Sequence, residues 1–497
     1  MQQLAKEFGE RAGRAPDDVA VIDALGVHTV GEVMHAAHDL AAALQDALGG
    51  SPTVLVQADN TWRTLATALA VGLRGGMVAV LSSHAVASEF ALAMEDIEPD
   101  AVVASDAVLE HWAASNETFP DKRSALDGWA LVTSGRPASD VGRWDGGAAV
   151  AMTSGSTGRP KCVVQSEESL RYAGRATIEA IGLQPGDAIG AFVPLSSVAA
   201  YCFGMYLPAL LEGSMVCIES WQPDAALDAM AEHDVRWTML VPTMALQLSV
   251  RQGAEGRLSG LKAMTVGGGP MDAGALGRAE QTLGTTFIRV FGMSECLGHT
   301  TTSPHEDATT RLGCDGRPFP GTEVRAVDDN GAPMPPGEVG AAQVRGPSLF
   351  AGYARGGRTQ RPELTADGFL PTGDLVRLNA DSTITILGRQ KQIIIRGGRN
   401  IDINEVEAAI ARIPGIAQVC VVPVPDEMLG ERVAALVVAV GPALSLPDIT
   451  SRLDEAGFPK AKWPEFVFAV PDLPQNRVGK LSRPDAVRLA SELAASE

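Results

Sequence analysis

Thr153-Ser154-Gly155-Ser156-Thr157-Gly158-Arg159-Pro160-Lys161 is the stretch whose reading decides the fold. It follows an apolar run, residues 148–152, that reads as a buried strand. The two glycines let the backbone turn tightly and approach a ligand closely. Backbone N–H groups and four hydroxyls can then surround an anion, and the lysine adds positive charge. The chemistry is that of a phosphate-holding loop after a strand. No Gly-Lys-Ser/Thr follows at Walker A spacing, and the glycine pattern is not a dinucleotide fingerprint.

Working outward, short apolar runs alternate with helical patterns from about residue 50. Residues 54–57, 77–81 and 101–104 read as strands, and 62–73 and 90–97 as helices. Further strand-like runs lie at 188–194, 214–219, 235–241, 261–266 and 287–291. This alternation implies an α/β fold of mostly parallel sheets flanked by helices. Ligands in such sheets bind at the carboxyl ends of strands, where Thr153, Gly267-Gly268-Gly269-Pro270 and Gly292 fall. After residue 310, glycine and proline become frequent, as in Pro333-Met334-Pro335-Pro336-Gly337, and a small β-barrel-like part is expected. Ile393-Ile394-Ile395 opens a new α+β unit.

Downstream of the loop come Phe291-Gly292-Met293-Ser294-Glu295, Thr372-Gly373-Asp374 and Gly388-Arg389-Gln390-Lys391. Arg396-Gly397-Gly398-Arg399-Asn400, Glu405-Val406-Glu407, Leu473-Pro474 and Gly479-Lys480 complete the set. In this order and at these separations, the set resembles the adenylate-forming (ANL) superfamily, above all its stand-alone acyl-CoA and aryl-CoA synthetases. The resemblance covers almost the whole chain. It implies a large N-terminal domain, residues 1–390, and a mobile C-terminal lid, residues 391–497, with the hinge at Lys391.

The implied reaction joins a carboxylate to the α-phosphate of ATP, releasing pyrophosphate, and then passes the acyl group to a thiol, CoA before others. Because two anions must meet, the site needs cations and preorganised donors. The resemblance assigns the grip on the β- and γ-phosphates to Thr153, Ser154, Gly155, Ser156, Thr157 and Lys161. Gly267, Gly268, Gly269, Pro270, Phe291, Gly292 and Met293 would surround the nucleotide. Phe291 stands where the family usually has tyrosine. Ser294 would bond the α-phosphate, and Glu295 would hold Mg²⁺, a hard ion suited to oxygen ligands. Asp374 and Arg389 would take the ribose. Lys480 would bridge the incoming carboxylate and the α-phosphate, a task that suits a point charge on a flexible stem. Gly397 and Gly398 would line the CoA tunnel, although a plain hairpin turn reads equally well there. Val198, Tyr201, Val241, Cys296 and His299 are the acyl-pocket candidates. Their mostly apolar character suits an aryl or medium apolar carboxylate.

Two departures stand out. Ser166 is followed by Glu167, where family members often carry histidine. Pro194-Leu195 is followed by Ser196-Ser197, where many carry an aromatic residue and a histidine. No amino-group-holding aspartate is evident near 196–201, which argues against an amino-acid substrate.

Composition bounds the rest. The chain has 497 residues, 45% of them hydrophobic, and a formal net charge of −20 at pH 7. Such an acidic surface is a poor partner for nucleic acid or anionic membrane. No signal core or spanning segment is seen, and six scattered cysteines without a C-x-x-C pair fit free thiols in a reducing cytoplasm. His35 and His38 have helical spacing but lack the carboxylate or thiol company of a metal site. The rival readings are an adenylating enzyme that loads a separate carrier protein, one with a non-thiol acceptor, and a catalytically silent binding module.

Overall fold

The computed structural model describes residues 1–114, 118–153, 160–269, 271–328, 330–389, 392–396, 399–426, 428–475 and 481–495. Of the sequence candidates, Ser154, Gly155, Ser156, Thr157, Pro270, Lys391, Gly397, Gly398 and Lys480 lie outside these residues. By its internal contacts the chain divides into two compact units. The first comprises Met1–Val324, Gln343–Pro371 and Asp381–Ile384; the second comprises Arg325–Ala342, Thr372–Ala380 and Thr385–Glu497.

Two nine-stranded sheets dominate the first unit. In one, Thr53–Gln57 lies between Met77–Leu81 and Ala101–Ser105, parallel to both, and Met77–Leu81 is parallel to Gly147–Thr153. The strand Lys161–Ser166 returns antiparallel from Gly147–Thr153, and Gly352–Arg355 pairs antiparallel with its far edge. Val54 and Val56 join one core cluster while Leu55 joins another. Helix-covered faces on both sides explain the unbroken apolar runs. In the other sheet, Met215–Cys217, Ala188–Ala191, Val235–Leu240, Ala263–Gly267 and Phe287–Met293 run parallel in that order. Cys296–Thr301 folds back against the last of these. The run at 188–194 ends as a strand at Ala191, short of Pro194, which has no N–H for a ladder. The run at 214–219 shrinks to Met215–Cys217.

Two features were not read from the sequence. One is the N-terminal helical pair Gln2–Arg14 and Val30–Leu48. The other is a π-helix, Tyr201–Tyr206, set between short α-turns; such winding recurs at functional sites.

A four-stranded sheet orders Glu323–Val327, Val339–Arg345, Leu370–Leu378 and Ile384–Arg389, and forms the small β part. In the second unit, Gly430–Ala439 pairs with Ile393–Arg396, Ile416–Asp426 and Phe466–Ala469. Val421, Val433 and Ala435 pack on one face with Val406 and Ile449 from two helices. Cys420, Val422 and Ala434 pack on the other with Ala486 and Ala490 of helix Arg483–Ala494. All six cysteines are free and buried. No helix among the described residues is long and apolar enough to cross a membrane.

Candidate active site

Thr153 and Lys161 are cross-strand partners at the adjoining ends of an antiparallel pair. The Thr153 hydroxyl donates to the Lys161 carbonyl at 3.4 Å. Lys161 Nζ lies 3.4 Å from the Tyr353 hydroxyl and 4.8 Å from its ring centroid. Tyr353 in turn donates to Glu295 Oε1 at 2.8 Å. The structure thus brings the phosphate-loop lysine and the metal-ligand candidate onto one phenol. Burial, and then the Glu295 charge, push the Tyr353 hydroxyl well above the usual tyrosine range. Tyr353 was not singled out from the sequence. Its place depends on the pairing of Tyr353 with Val163, a contact across 190 positions of chain that no local signal reports.

The turn that carries Ser294 and Glu295 joins strands Phe287–Met293 and Cys296–Thr301. It is held by both of its carbonyls. Gln165 Nε2 donates to Ser294 O at 2.6 Å, and Phe350 N donates to Glu295 O at 3.0 Å. Gln165 is buried, and its own carbonyl accepts from the Ser169 hydroxyl at 2.6 Å. Gly292 is required here, because a Cβ would sit 2.7 Å from Gly298 N across the hairpin. One strand over, Gly267 meets the same constraint, with a Cβ position 2.4 Å from Val290 Cγ1. Gly268 and Gly269 beyond it are exposed, and Met293 is half-buried against the main core.

Phe291 packs edge-to-face with His299, ring centroids 4.4 Å apart and planes at 81°. His299 is fully buried, its Nδ1 lies 3.0 Å from Cys296 O, and its Nε2 has no hydrogen-bond partner among the described residues. Burial lowers its pKa to about 4 against the opposing pull of the Cys296 carbonyl, so the ring is neutral near pH 7. The Cys296 thiol lies 3.3 Å from the Ser348 hydroxyl, and burial pushes it up to about 11, which leaves it an unreactive core thiol.

In the second unit, Asp374 and Arg389 form an ion pair, Arg389 Nε to Asp374 Oδ1 at 2.8 Å. The Asp374 N–H donates to Thr372 Oγ1 at 3.1 Å, which fixes the turn. Two residues read separately as ribose contacts are therefore neighbours.

Two apolar cavities run beneath the strands of the second sheet, sharing Phe203, Trp237 and Met239. Ala200 and Gly204 line the first, and Thr265, Val290 and Phe319 line the second. The five acyl-pocket candidates, Val198, Tyr201, Val241, Cys296 and His299, line neither. Side chains alternate along a strand, so Trp237 and Met239 share the cavity face of Val235–Leu240, while Val241 falls past the strand end. Tyr201 is buried with its hydroxyl donating to the Met1 thioether at 3.3 Å.

Glu167, the first departure, has a structural task. Its carboxylate accepts from the amides of Leu4 at 2.8 Å and Gln3 at 3.1 Å, and from the Tyr206 hydroxyl at 3.1 Å. Helix Gln2–Arg14 has no side-chain cap of its own, so Glu167 supplies one from 163 positions away. Burial alone would raise the Glu167 pKa. The Met1 ammonium 2.7 Å away and the amide donors outweigh it and hold the carboxyl below its usual range. A depressed carboxylate stabilises the fold above the unfolded value of about 4.3, and that contribution disappears as pH falls through the folded value. Glu167→Ala is expected to cost about 3 kcal/mol near pH 7 by leaving buried donors and a charge unpaired. Melting curves from pH 7 to 3 check it: the gap to wild type should close on acidification, and a constant gap contradicts the charge argument.

Among the described residues, no group of three or more His, Cys, Asp or Glu side chains could hold a metal. Glu295 offers a half-buried hard oxygen donor that shares the Tyr353 hydroxyl with Lys161. That fits Mg²⁺, which is commonly held by one or two carboxylates with substrate phosphates.

The profile of the AMP-binding enzyme family matches residues 8–354, and that of the AMP-binding enzyme C-terminal domain matches residues 405–480. The chain is 31% identical over 514 residues to a salicylyl-CoA synthase / salicylate adenylyltransferase of a Streptomyces species, spanning 96% of this chain and 91% of that protein. It is 30% identical over 528 residues to the 2-hydroxy-7-methoxy-5-methyl-1-naphthoate–CoA ligase of Streptomyces carzinostaticus, spanning 99% and 93%. ATP-bound MatB from Rhodopseudomonas palustris superposes with a TM-score of 0.85 at 26% identity, over 98% of this chain and 99% of that one. The amide bond synthetase McbA from Marinactinospora thermotolerans superposes at 0.82 with 27% identity, over 98% and 99%. With the profile covering well over half the chain, and the loop lysine and the Ser294-Glu295 turn meeting at the strand ends, this chain belongs to the AMP-binding, adenylate-forming enzyme family.

Proposed function

We propose that the acid is an aryl carboxylate and the acceptor CoA. The chain is an AMP-forming acid–thiol ligase: it activates a carboxylic acid with ATP as the acyl adenylate and passes the acyl group to a thiol. What supports the aryl assignment is the likeness to two relatives over nearly the whole chain. Phe203, Trp237 and Met239, which line apolar space beneath the strands leading to Gly267 and Phe291, are the proposed wall of the acid pocket. The two relatives named above act, by their names, on 2-hydroxyaryl acids.

In this reading Thr153 and Lys161 anchor the outer phosphates with Ser154, Ser156 and Thr157. Ser294 donates to the α-phosphate. Glu295 holds Mg²⁺, which supplies Lewis-acid neutralisation of the triphosphate. Asp374 and Arg389 receive the ribose, and Lys480 aligns the acid carboxylate with the α-phosphorus. A carboxylate oxygen bonds to phosphorus as the bond to the pyrophosphate oxygen breaks. Residues 391–497 then turn about Lys391, and Gly397-Gly398 admits the thiol. Sulfur attacks the acyl carbonyl, the thiol proton leaves to solvent and AMP departs. The six buried free thiols suit a reducing cytoplasm.

The test is pyrophosphate exchange across benzoates, naphthoates and medium-chain acids, followed by addition of CoA, a carrier protein or an amine. Exchange confined to aliphatic acids refutes the aryl assignment; product with only carrier or amine refutes CoA. Met239→Ala should shift relative kcat/KM about tenfold toward bicyclic acids, the scale of a changed methylene or two in an apolar pocket. An unchanged benzoate-to-naphthoate ratio would remove Met239 from the pocket.

A further inference from the structure

The geometry points to Tyr353 as a positioning residue that aims Glu295 at the metal and keeps it apart from Lys161, within a clamp formed by residues 348–353. The inference rests on the adenylation reading, which makes Glu295 the metal-holding carboxylate.

Four contacts along a short stretch seize the Glu295-Cys296 corner. The Ser348 hydroxyl lies 3.3 Å from Cys296 Sγ, and Leu349 forms a backbone bridge with Cys296. The Phe350 N–H donates to Glu295 O at 3.0 Å, and the Tyr353 hydroxyl donates to Glu295 Oε1 at 2.8 Å. Phe350 packs edge-on against Tyr353, centroids 4.8 Å apart, so the ring is itself held. The clamp is tied to the phosphate-loop strand, since Gly352, Tyr353 and Ala354 pair with Val164, Val163 and Cys162.

The phenol is directional. Lys161 has only hydrogens to give, so it donates to the Tyr353 oxygen at 3.4 Å. The phenol proton is then free to go to Glu295. One carboxylate oxygen is thereby engaged, and the orientation of the other follows. Hydrogen bonds to ligating carboxylates commonly matter this way for metal affinity. The phenol also separates two opposite charges. Without its hydroxyl, Lys161 and Glu295 are placed to collapse into a direct ion pair, in which the lysine is withdrawn from phosphate and the carboxylate from the cation.

Tyr353→Phe keeps the ring, and with it the packing on Phe350, and removes only the hydroxyl. Mn²⁺ titrations followed by electron paramagnetic resonance, with α,β-methylene-ATP present, read the metal site without turnover. Tyr353→Phe should weaken Mn²⁺ about ten- to a hundredfold. In a Glu295→Gln background, the same change should have no further effect. Unchanged Mn²⁺ affinity overturns the proposal. So does a loss that persists undiminished in Glu295→Gln, because a general structural defect would persist there. A wild-type protein that binds no Mn²⁺ with the analogue sinks the adenylation reading and this inference together. Normal wild-type binding without coupling between the two positions sinks the inference alone.

Discussion

Lys480→Ala is expected to lower acid-dependent pyrophosphate exchange by about 10²–10³-fold, the usual loss when one preorganised group that meets developing transition-state charge is removed. A carboxylate and an α-phosphate repel each other until a cation sits between them, and a single ammonium on a long stem can touch both. The two half-reactions should separate. With a chemically prepared acyl adenylate and CoA, the variant should form thioester at close to the wild-type rate, because no carboxylate then has to approach a phosphate. Lys480→Arg should recover little, since a planar guanidinium cannot replace a compact point charge at a crowded junction. Equal losses in both half-reactions would move Lys480 from adenylation to general structure. Full exchange in Lys480→Ala would remove it from the chemistry.

Glu295→Ala is expected to reduce the adenylation rate about a hundredfold, about 2.7 kcal/mol of lost charge neutralisation at the triphosphate. The loss should be partly recovered by raising Mg²⁺, because the phosphates still bind the ion when the protein ligand is gone. Fold should survive. Glu295 is half-buried, and its turn stays pinned by the Gln165 and Phe350 backbone contacts, which do not use the carboxylate. A rate insensitive to both the substitution and Mg²⁺ concentration would take Glu295 out of the metal site.

What was readable in advance divides along physical lines. The strand at 77–81 and the helix at 62–73 match the structure to the residue, because a continuous apolar run and a 3.6-residue pattern are local properties. Thr153, Lys161 and the Ser294-Glu295 turn were visible as polar residues placed directly after such runs. Ends set by pairing partners were less visible: residues 188–194 form a strand only to Ala191. The apolar cavities of the second sheet were the least visible. Their walls come from a π-helix and the inward faces of four parallel strands, and which face is inward depends on the register of neighbours far off in the chain.

By itself, then, the sequence determined the chemistry offered to ATP: hydroxyls, glycines and a lysine after a strand, a carboxylate at a hairpin turn, and a lysine near the end. These are matters of residue type and short spacing. Only the tertiary structure decided that Tyr353 would stand between Lys161 and Glu295, that Gln165 would hold the Ser294 carbonyl, and that Glu167 would cap the first helix. Each of these contacts joins residues more than fifty positions apart in sequence. Hydrogen bonds of that reach are set by sheet order and strand register, which no local pattern encodes.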